Sequence, residues 1–364
     1  MKLAIVVGTR PEIIKMAPVV RACVARGVPH LLLHTGQHYS FEMDGVFFEE
    51  LGLPPPQRNL EVGSGSQSYQ IAAVMEGIAP IFEEERPDVV LVEGDTNSVL
   101  AAALAAHKTG IAVGHVEAGL RSYDRGMPEE VNRILTDHLA DWLFAPTPGA
   151  RHILLGEGIA AARVHVTGNT VVDELLLQRP RAERAGLFER FGVTRGGFAL
   201  ATVHRAENVD VDGRLRSILE GLDGAGDALG VPVLAALHPR TTARMAALGL
   251  TAGGSVRALP PLGYLDFLGL QAGAAIVLTD SGGLQEEACC LRVPCVTLRD
   301  NTERPESVAV GANVLAGAQA DRIVACARAM AAKPRDWPNP FGDGTSGARI
   351  VDLLTGRAPP ASAA

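Results

Sequence analysis

The sequence has no surplus of positive charge. Its 33 lysines and arginines stand against 41 acidic residues, for a formal charge of −8 over 364 residues. Nucleic-acid binders and proteins docked on anionic membranes carry a basic excess, so the balance argues against both. A small anionic ligand stays open, because a few local cations outweigh the average. Long apolar runs are also missing. "LGLQAGAAIVL" (268–278) falls short of the roughly 18 residues that span a bilayer. At the N-terminus the apolar run from Leu3 to Val7 stops at Gly8, too short for a secretory leader, and the expected compartment is the cytoplasm. There is no C-x-x-C pair. Cys23, Cys289, Cys290, Cys295 and Cys326 are odd in number, and "CCLRVPC" reads as small buried residues on a helix and a strand, with no metal expected. No G-x-G-x-x-G follows the first strand, so a nicotinamide cofactor is not indicated there. Tandem repeats and long low-complexity tracts are absent as well.

What is present is an ordinary globular composition, 47% hydrophobic and 20% charged, at a length that suits two domains. Apolar strand-like runs alternate with helical stretches. "KLAIVVG", "HLLLHTG", "DVVLVEGD", "IAVGHVEAG", "DWLFAPT" and "RVHVTGN" form a first series. "FALATVHR", "VPVLAALHP", "SVRALPPL", "AAIVLTDSGG" and "PCVTLRD" form a second. Apolar strands joined by helical crossovers predict a parallel sheet covered on both faces. The expectation is an α/β protein of two Rossmann-like, doubly wound domains facing a cleft. Their spans are read as 1–172 and 173–343, followed by a helix over 344–356 that crosses back to the first domain and a disordered tail over 357–364.

Ligands in such folds sit beyond the C-terminal ends of the strands. "GTRPEIIK" follows the first strand, with Thr9 placed to cap a helix and Pro11 suited to its first turn. Arg10 and Lys15 flank a helix start that is already partially positive. They are either solvated surface charges or, with the helix N-terminus, the holders of an anion. "DVVLVEGDTNS" puts Asp95 just past a strand, as a helix cap or as a functional acid. "IAVGHVEAGLRS" puts Glu117 at the end of the next strand, where capping explains it poorly. Glu129 opens a helix behind Pro128, where acids also serve as dipole complements. The second series delivers His204 and Arg205 in "ATVHRAEN", and Ser281, Gly282 and Gly283 at a strand-to-helix turn whose small residues let backbone N–H groups approach a phosphate. Glu287 lies one turn into that helix, within reach of a ribose hydroxyl. "RDNTERPE" supplies Arg304, otherwise an arginine of a surface loop. Together these residues point to a diphosphate as the bound anion and to acid–base work for the carboxylates.

The segments "GTRPEIIKMAPV", "GDTNSVLAAALAA", "GHVEAGLRS", "MPEEVNRILTDHLAD", "TGNTVVDELL", "HRAEN", "TDSGGLQEEA", "RDNTERPE" and "NPFGDGTSGARI" resemble, in order, the non-hydrolysing UDP-N-acetylglucosamine 2-epimerases. The resemblance implies a glycosyltransferase-B type fold and interconversion of UDP-GlcNAc and UDP-ManNAc without a redox cofactor or an essential metal. It implies elimination of UDP to 2-acetamidoglucal followed by re-addition. By resemblance, Asp95, Glu117 and Glu129 match the family's catalytic carboxylates and His204 its active-site histidine. Arg10, Lys15, Ser281, Gly282, Glu287 and Arg304 match its UDP-binding positions, and Arg205 and Gly283 lie beside them. Gln37, His38, Gln67 and His238 match an adjoining activator site of bacterial members, whereas Tyr39, Ser40 and Ser66 depart from it. The family's habit predicts a homodimer whose small-molecule partners are UDP-GlcNAc, UDP-ManNAc and UDP. Rival readings are a 2-epimerase of a related UDP-sugar such as a 2,3-diacetamido uronic acid derivative, a hydrolysing epimerase, a glycosyltransferase of the same plan, and a UDP-sugar sensor.

Overall fold

The computed structural model describes residues 1–36, 47–184 and 186–357. Gln37, His38, Tyr39, Ser40 and the tail over 358–364 lie outside them. The chain forms two compact units. One comprises Met1–Leu176 with the segment from Phe341 onward, and the other comprises Leu177–Pro340. The change between them falls inside a helix, Thr170–Ala182.

The first unit is built on a seven-stranded sheet of β1 (Leu3–Val7), β2 (His30–His34), β3 (Arg58–Asn59), β4 (Val89–Glu93), β5 (Ala112–Val116), β6 (Trp142–Ala145) and β7 (Val164–Val166). The strand order is β3-β2-β1-β4-β5-β6-β7 and every pairing is parallel. Between the strands run α1 (Arg10–Arg26), α2 (Gln67–Glu85), α3 (Asn97–Lys108), α4 (Pro128–Leu139) and α5 (Pro148–Gly156), with α6 (Thr170–Ala182) after β7. The strands are apolar on both faces because helices cover both. β1 is buried at all five positions, and Val6, Leu33, Val90 and Val92 meet Ile78 and Phe82 of α2 and Ala102 and Ala106 of α3 in one core. α1 starts after Thr9 with Pro11 in its first turn and stops at Gly27, which takes the left-handed conformation that a glycine adopts without a Cβ penalty.

The second unit carries β8 (Ala199–Thr202), β9 (Val233–Ala235), β10 (Val256–Ala258), β11 (Ile276–Thr279), β12 (Cys295–Thr297) and β13 (Asn313–Leu315) in the order β10-β9-β8-β11-β12-β13, again all parallel. Its longer helices are α7 (Asp212–Leu229), α8 (Pro239–Ala247), α9 (Tyr264–Gly273), α10 (Gly282–Cys290) and α11 (Ala320–Ala331). Ile218 and Leu222 of α7 and Ile323 and Ala327 of α11 close over the strands.

The last helix, α12 (Ser346–Thr355), packs on α1 of the first unit. Asp173 of α6 accepts hydrogen bonds from the backbone N–H of Ser346 and Gly347, at 3.1 and 2.8 Å, and so caps its N-terminus. Arg26 of α1 grips Asp352 bidentately, at 2.5 and 2.8 Å.

Two strands go beyond the sequence reading. β3 and β13 are edge strands of two and three residues, and each carries an asparagine that interrupts any apolar run. The cysteines behave as core residues. Cys23, Cys289 and Cys295 are buried, and burial pushes the Cys23 and Cys289 thiols up to about 12. No helix among the described residues is long and apolar enough to cross a membrane.

Candidate active site

Each sheet has one point where successive strands turn away to opposite sides. In the first unit it lies between β1 and β4, and in the second between β8 and β11. Loops leaving such neighbours diverge and open a crevice for a ligand. In the first unit the loops are Gly8–Arg10 and Gly94–Asn97. In the second they are Val203–Arg205 and Asp280–Gly282. Asp95, Arg10, His204, Arg205, Ser281 and Gly282 therefore all stand at a switch point of their own unit.

At the first switch point the side chains form a dense charged cluster. Lys15, one turn into α1, places its ammonium 2.5 Å from Glu117 Oε2 and 2.9 Å from Glu93 Oε1. Asn169 donates to the same Glu117 Oε2 at 3.1 Å. Glu93 is the last residue of β4 and is buried. Burial pushes its carboxyl well above the usual range, Lys15 pulls it back, and Glu117 raises it again. Glu117 has φ +67°, a left-handed backbone that costs a residue with a Cβ of order 1–3 kcal/mol. Two residues on, Gly119 has φ +86°, and a Cβ there would lie 2.5 Å from the carbonyl oxygen of Ala150. The turn thus needs glycine at 119 for space, while at 117 it bears the strain of a carboxylate.

Arg10 takes a different course from Lys15, with its guanidinium 4.6 Å from the ring centroid of Phe47. Asp95 is not the cap of α3, since Thr96 holds that position and its hydroxyl accepts from Val99 N–H. The Asp95 carboxylate pairs instead with Arg133 of α4 at 2.5 Å. Glu129, at the start of α4, is half-buried, and its side chain makes no hydrogen bond or ion pair among the described residues. Its neighbour Glu130 is a structural anchor. It accepts from Ser122 N–H, Ser122 Oγ, Tyr123 N–H and Arg133 Nη1 at 2.6–2.9 Å.

Glu12 closes the base of this cluster. It accepts from Gly8 N–H at 2.6 Å and lies 3.0 Å from Thr9 Oγ1. Burial raises its carboxyl from 4.5 to about 7, against hydrogen bonds from Thr96, Gly8 and Thr9, with Asp95 adding to the rise. The folded state therefore holds a proton that the unfolded chain releases near pH 4.5. The stability tied to that proton is complete below pH 4.5 and is lost as pH rises to 7, at about 3 kcal/mol as an upper figure. Glu12→Gln mimics the protonated acid. Relative to it, the parent is expected to lose stability between pH 4.5 and pH 7, read from urea unfolding of both at each pH. A constant difference between the two would refute the assignment.

At the second switch point Asp280, fully buried, organises both loops. It accepts from the backbone N–H of His204 and Arg205 at 3.0 and 2.9 Å, and from Asn208 Nδ2 at 3.1 Å. Its other contact is His204 Nδ1 at 2.8 Å. Burial alone would raise the Asp280 carboxyl, but His204 and these N–H groups hold it below its ordinary value. An ionised Asp280 holds a hydrogen on Nδ1 of the exposed His204, so its contact with the ring is made through Nδ1 and not Nε2. Ser281 is the N-cap residue of α10 and makes no capping bond with its side chain. The first N–H groups of α10, at Gly282 and Gly283, form a small-residue helix start of the type that takes phosphate. Glu287 follows one turn on, half-buried.

Arg304 corrects the surface-loop reading. It is buried, and its guanidinium pairs with Glu286 of α10 at 2.5 Å. Beneath it Arg299 is wholly buried and grips both oxygens of Glu303 at 2.7 and 2.9 Å. Of the expected activator positions, Gln67 is exposed at the start of α2, and His238 is the N-cap of α8, its Nδ1 accepting from Arg240 N–H at 3.2 Å. The two belong to different units, and Gln37 and His38 lie outside the described residues. Among the described residues no group of three or more His, Cys, Asp or Glu side chains converges as metal ligands would.

Sequence reasoning missed Glu93, Arg133, Asn169 and Asp280. Glu93 and Asp280 did carry a signal, because each is an acid at the very end of an apolar strand, like Glu117.

Two parallel doubly wound units, each with charged groups gathered at its switch point, define a two-domain α/β protein of Rossmann-like type. Residues 21–355 match the family model of UDP-N-acetylglucosamine 2-epimerase. A protein of Methanocaldococcus jannaschii named UDP-N-acetylglucosamine 2-epimerase is 48% identical over 98% of this chain and 99% of its own. A Pseudomonas aeruginosa protein named UDP-2,3-diacetamido-2,3-dideoxy-D-glucuronate 2-epimerase is 42% identical over 97% of this chain and 99% of its own. The crystal structure of the Methanocaldococcus jannaschii UDP-GlcNAc 2-epimerase, in complex with UDP-GlcNAc and UDP, superposes with a TM-score of 0.92 at 48% identity, covering 98% of this chain and 99% of that one. The chain belongs to the UDP-N-acetylglucosamine 2-epimerase family, a family of isomerases.

Proposed function

We propose that the chain interconverts UDP-GlcNAc and UDP-ManNAc without hydrolysis and without a cofactor. C2 of the sugar carries no acidic C–H, so simple deprotonation is implausible. In the proposed route a carboxylate takes the C2 proton, the C–H electron pair becomes the C1–C2 double bond, and the C1–O pair leaves with UDP. Re-addition forms the C1–O bond again while C2 receives a proton on its opposite face. The observation that carries this reading is the carboxylate cluster at the first switch point, in which Asp95 and Glu117 are each held against a cation. A retaining glycosyltransferase needs little beyond stabilisation of the diphosphate and has no task for those acids. Glu129 completes the proposed catalytic set in the first unit. His204 Nε2, Arg205, the helix start at Ser281–Gly283, Glu287 and Arg304 are the proposed grip on UDP in the second, with Arg10 and Lys15 offsetting diphosphate charge from the first. The named Methanocaldococcus enzyme supports UDP-GlcNAc as substrate. The Pseudomonas relative favours a second reading, a 2,3-diacetamido uronic acid derivative of UDP.

Incubation with UDP-GlcNAc in D₂O, followed by proton NMR and mass spectrometry, is the test. UDP-ManNAc bearing one deuterium at C2 is the expected product. Free ManNAc plus UDP would establish the hydrolysing reaction instead. No turnover with tight UDP binding would transfer the assignment to the diacetamido uronate substrate, a transferase or a sensor.

A further inference from the structure

The turns that carry Asp95 and Glu117, two of the three proposed catalytic acids of the first unit, both end on one buried side-chain pair. His115 lies in the middle of β5 and Asp137 near the end of α4, and neither is exposed to solvent. His115 Nδ1 is 2.7 Å from Asp137 Oδ1, and His115 Nε2 is 2.8 Å from the carbonyl oxygen of Gly94. A carbonyl only accepts, so Nε2 carries a hydrogen and donates it. Gly94 immediately precedes Asp95. On the other side, Asp137 Oδ2 accepts from the backbone N–H of Gly119 at 3.2 Å and from Arg121 Nη1 at 2.7 Å. Gly119 closes the strained turn that presents Glu117. The chain of contacts thus runs from the Asp95 turn through the His115 ring and the Asp137 carboxylate to the Glu117 turn.

Other contacts of α4 reinforce one end. Asn132 Nδ2 donates to the carbonyl oxygen of Asp95 at 3.0 Å, and Arg133 holds the Asp95 carboxylate. Arg121 in turn is clamped on Glu157 through Nε and Nη2, at 2.8 and 2.6 Å, so Asp137 faces an anchored cation. Burial alone would raise the Asp137 carboxyl, yet His115 and Arg121 hold it below its ordinary value and keep it an acceptor. His115 and Asp137 are both wholly buried, so the pair acts through the turns it holds and not by touching a substrate.

We propose that His115 and Asp137 are positioning residues that fix the Asp95 and Glu117 turns relative to each other, so that proton removal and proton delivery at C2 are separately aimed. The proposal rests on the epimerase reading. A base that serves one face of a sugar and an acid that serves the other must be held with little play, and a misplacement of about 1 Å costs on the order of 10²-fold in rate. In a shared hydrogen-bonded pair the loss of either member removes the same constraint, so the effects of the two substitutions do not add.

The test compares the full chain with His115→Gln, Asp137→Asn and the double variant. It reads kcat, KM for UDP-GlcNAc, UDP affinity by calorimetry, and amide hydrogen exchange. Each single variant is expected to lose about 10- to 100-fold in kcat, with KM and UDP affinity within about twofold of the parent, and the double variant to lose no more than the worse single. Exchange is expected to speed up at residues 94–97 and 117–119 and to stay unchanged in β1 and α1. His115→Gln leaves Asp137 with Arg121 and the Gly119 N–H, so it carries the comparison if Asp137→Asn does not fold. A single variant with parental kcat would overturn the proposal. So would additive losses accompanied by faster exchange throughout the unit, which mark plain destabilisation. If the parent itself fails to convert UDP-GlcNAc, the epimerase reading falls, and the exchange pattern at the two turns still decides whether the pair clamps them.

Discussion

Glu117→Gln is expected to lower turnover by about 10²–10⁴-fold, and Asp95→Asn by a similar factor, with UDP binding retained. Each replacement keeps the shape of the side chain and one acceptor oxygen. At position 117 the amide oxygen still receives Lys15 and Asn169, which in the parent both contact Glu117 Oε2. At position 95 the amide oxygen still receives Arg133, the partner of Asp95. The fold is therefore preserved while the group that exchanges a proton is lost. Steady-state kinetics with UDP titration separates the two. Parental turnover in either variant would remove that residue from the mechanism, and loss of UDP affinity would move it from chemistry to binding.

Arg299→Met is expected to cost about 3–5 kcal/mol of stability at pH 7, because it leaves a buried carboxylate without its counter-charge. Arg299 is wholly buried, with Glu303 at 2.7 Å and Glu207 at 3.3 Å. Burial alone would raise the Glu303 carboxyl, but Arg299, with help from Arg304 and Arg205, holds it far below the usual range. A carboxylate with a depressed folded pKa contributes stability that is present above the unfolded value and is lost as pH falls towards the folded one. The deficit of the variant is therefore expected to shrink between pH 7 and pH 4, as its orphaned Glu303 takes up a proton. Urea midpoints at the two pH values check this. A deficit that stays constant with pH would mean that lost packing, and not the uncompensated charge, is responsible.

The sequence was informative where one strand ends and one helix begins. Runs such as Leu3–Val7 and Val89–Val92 are apolar throughout because they are covered on both faces, and the residues that follow are read by position alone. That is how Asp95, Glu117, His204 and Ser281 came to notice. It fails for partners brought together by the sheet. Asp280 and Glu93 serve residues that are distant in sequence, and Arg133, Asn132 and Asp137 look like the polar face of an amphipathic helix until α4 is seen against β5. Arg304 was placed among the UDP-binding positions by resemblance, but its burial was not legible because its partner, Glu286, is hidden among the acids of "LQEEA". The local charge argument at α1 gave Arg10 and Lys15 one common task. What it did not give is their partners within the fold, an aromatic ring for Arg10 and two carboxylates for Lys15.

The return of α12 to the first unit bears on how the chain is made. The second unit is one unbroken stretch of sequence, whereas the first needs residues from both ends. During synthesis the second unit has everything it requires before the first has received the helix that covers α1. Until Ser346–Thr355 leaves the ribosome, the capping carboxylate of Asp173 and the guanidinium of Arg26 lack the groups they hold in the finished fold, and the face of α1 that α12 covers stands open to other chains. The long excursion between these contacts carries a loop-closure cost that grows only slowly with its length, and a prefolded second unit shortens the floppy part of it. The first unit of this molecule is thus completed only after the second has been made.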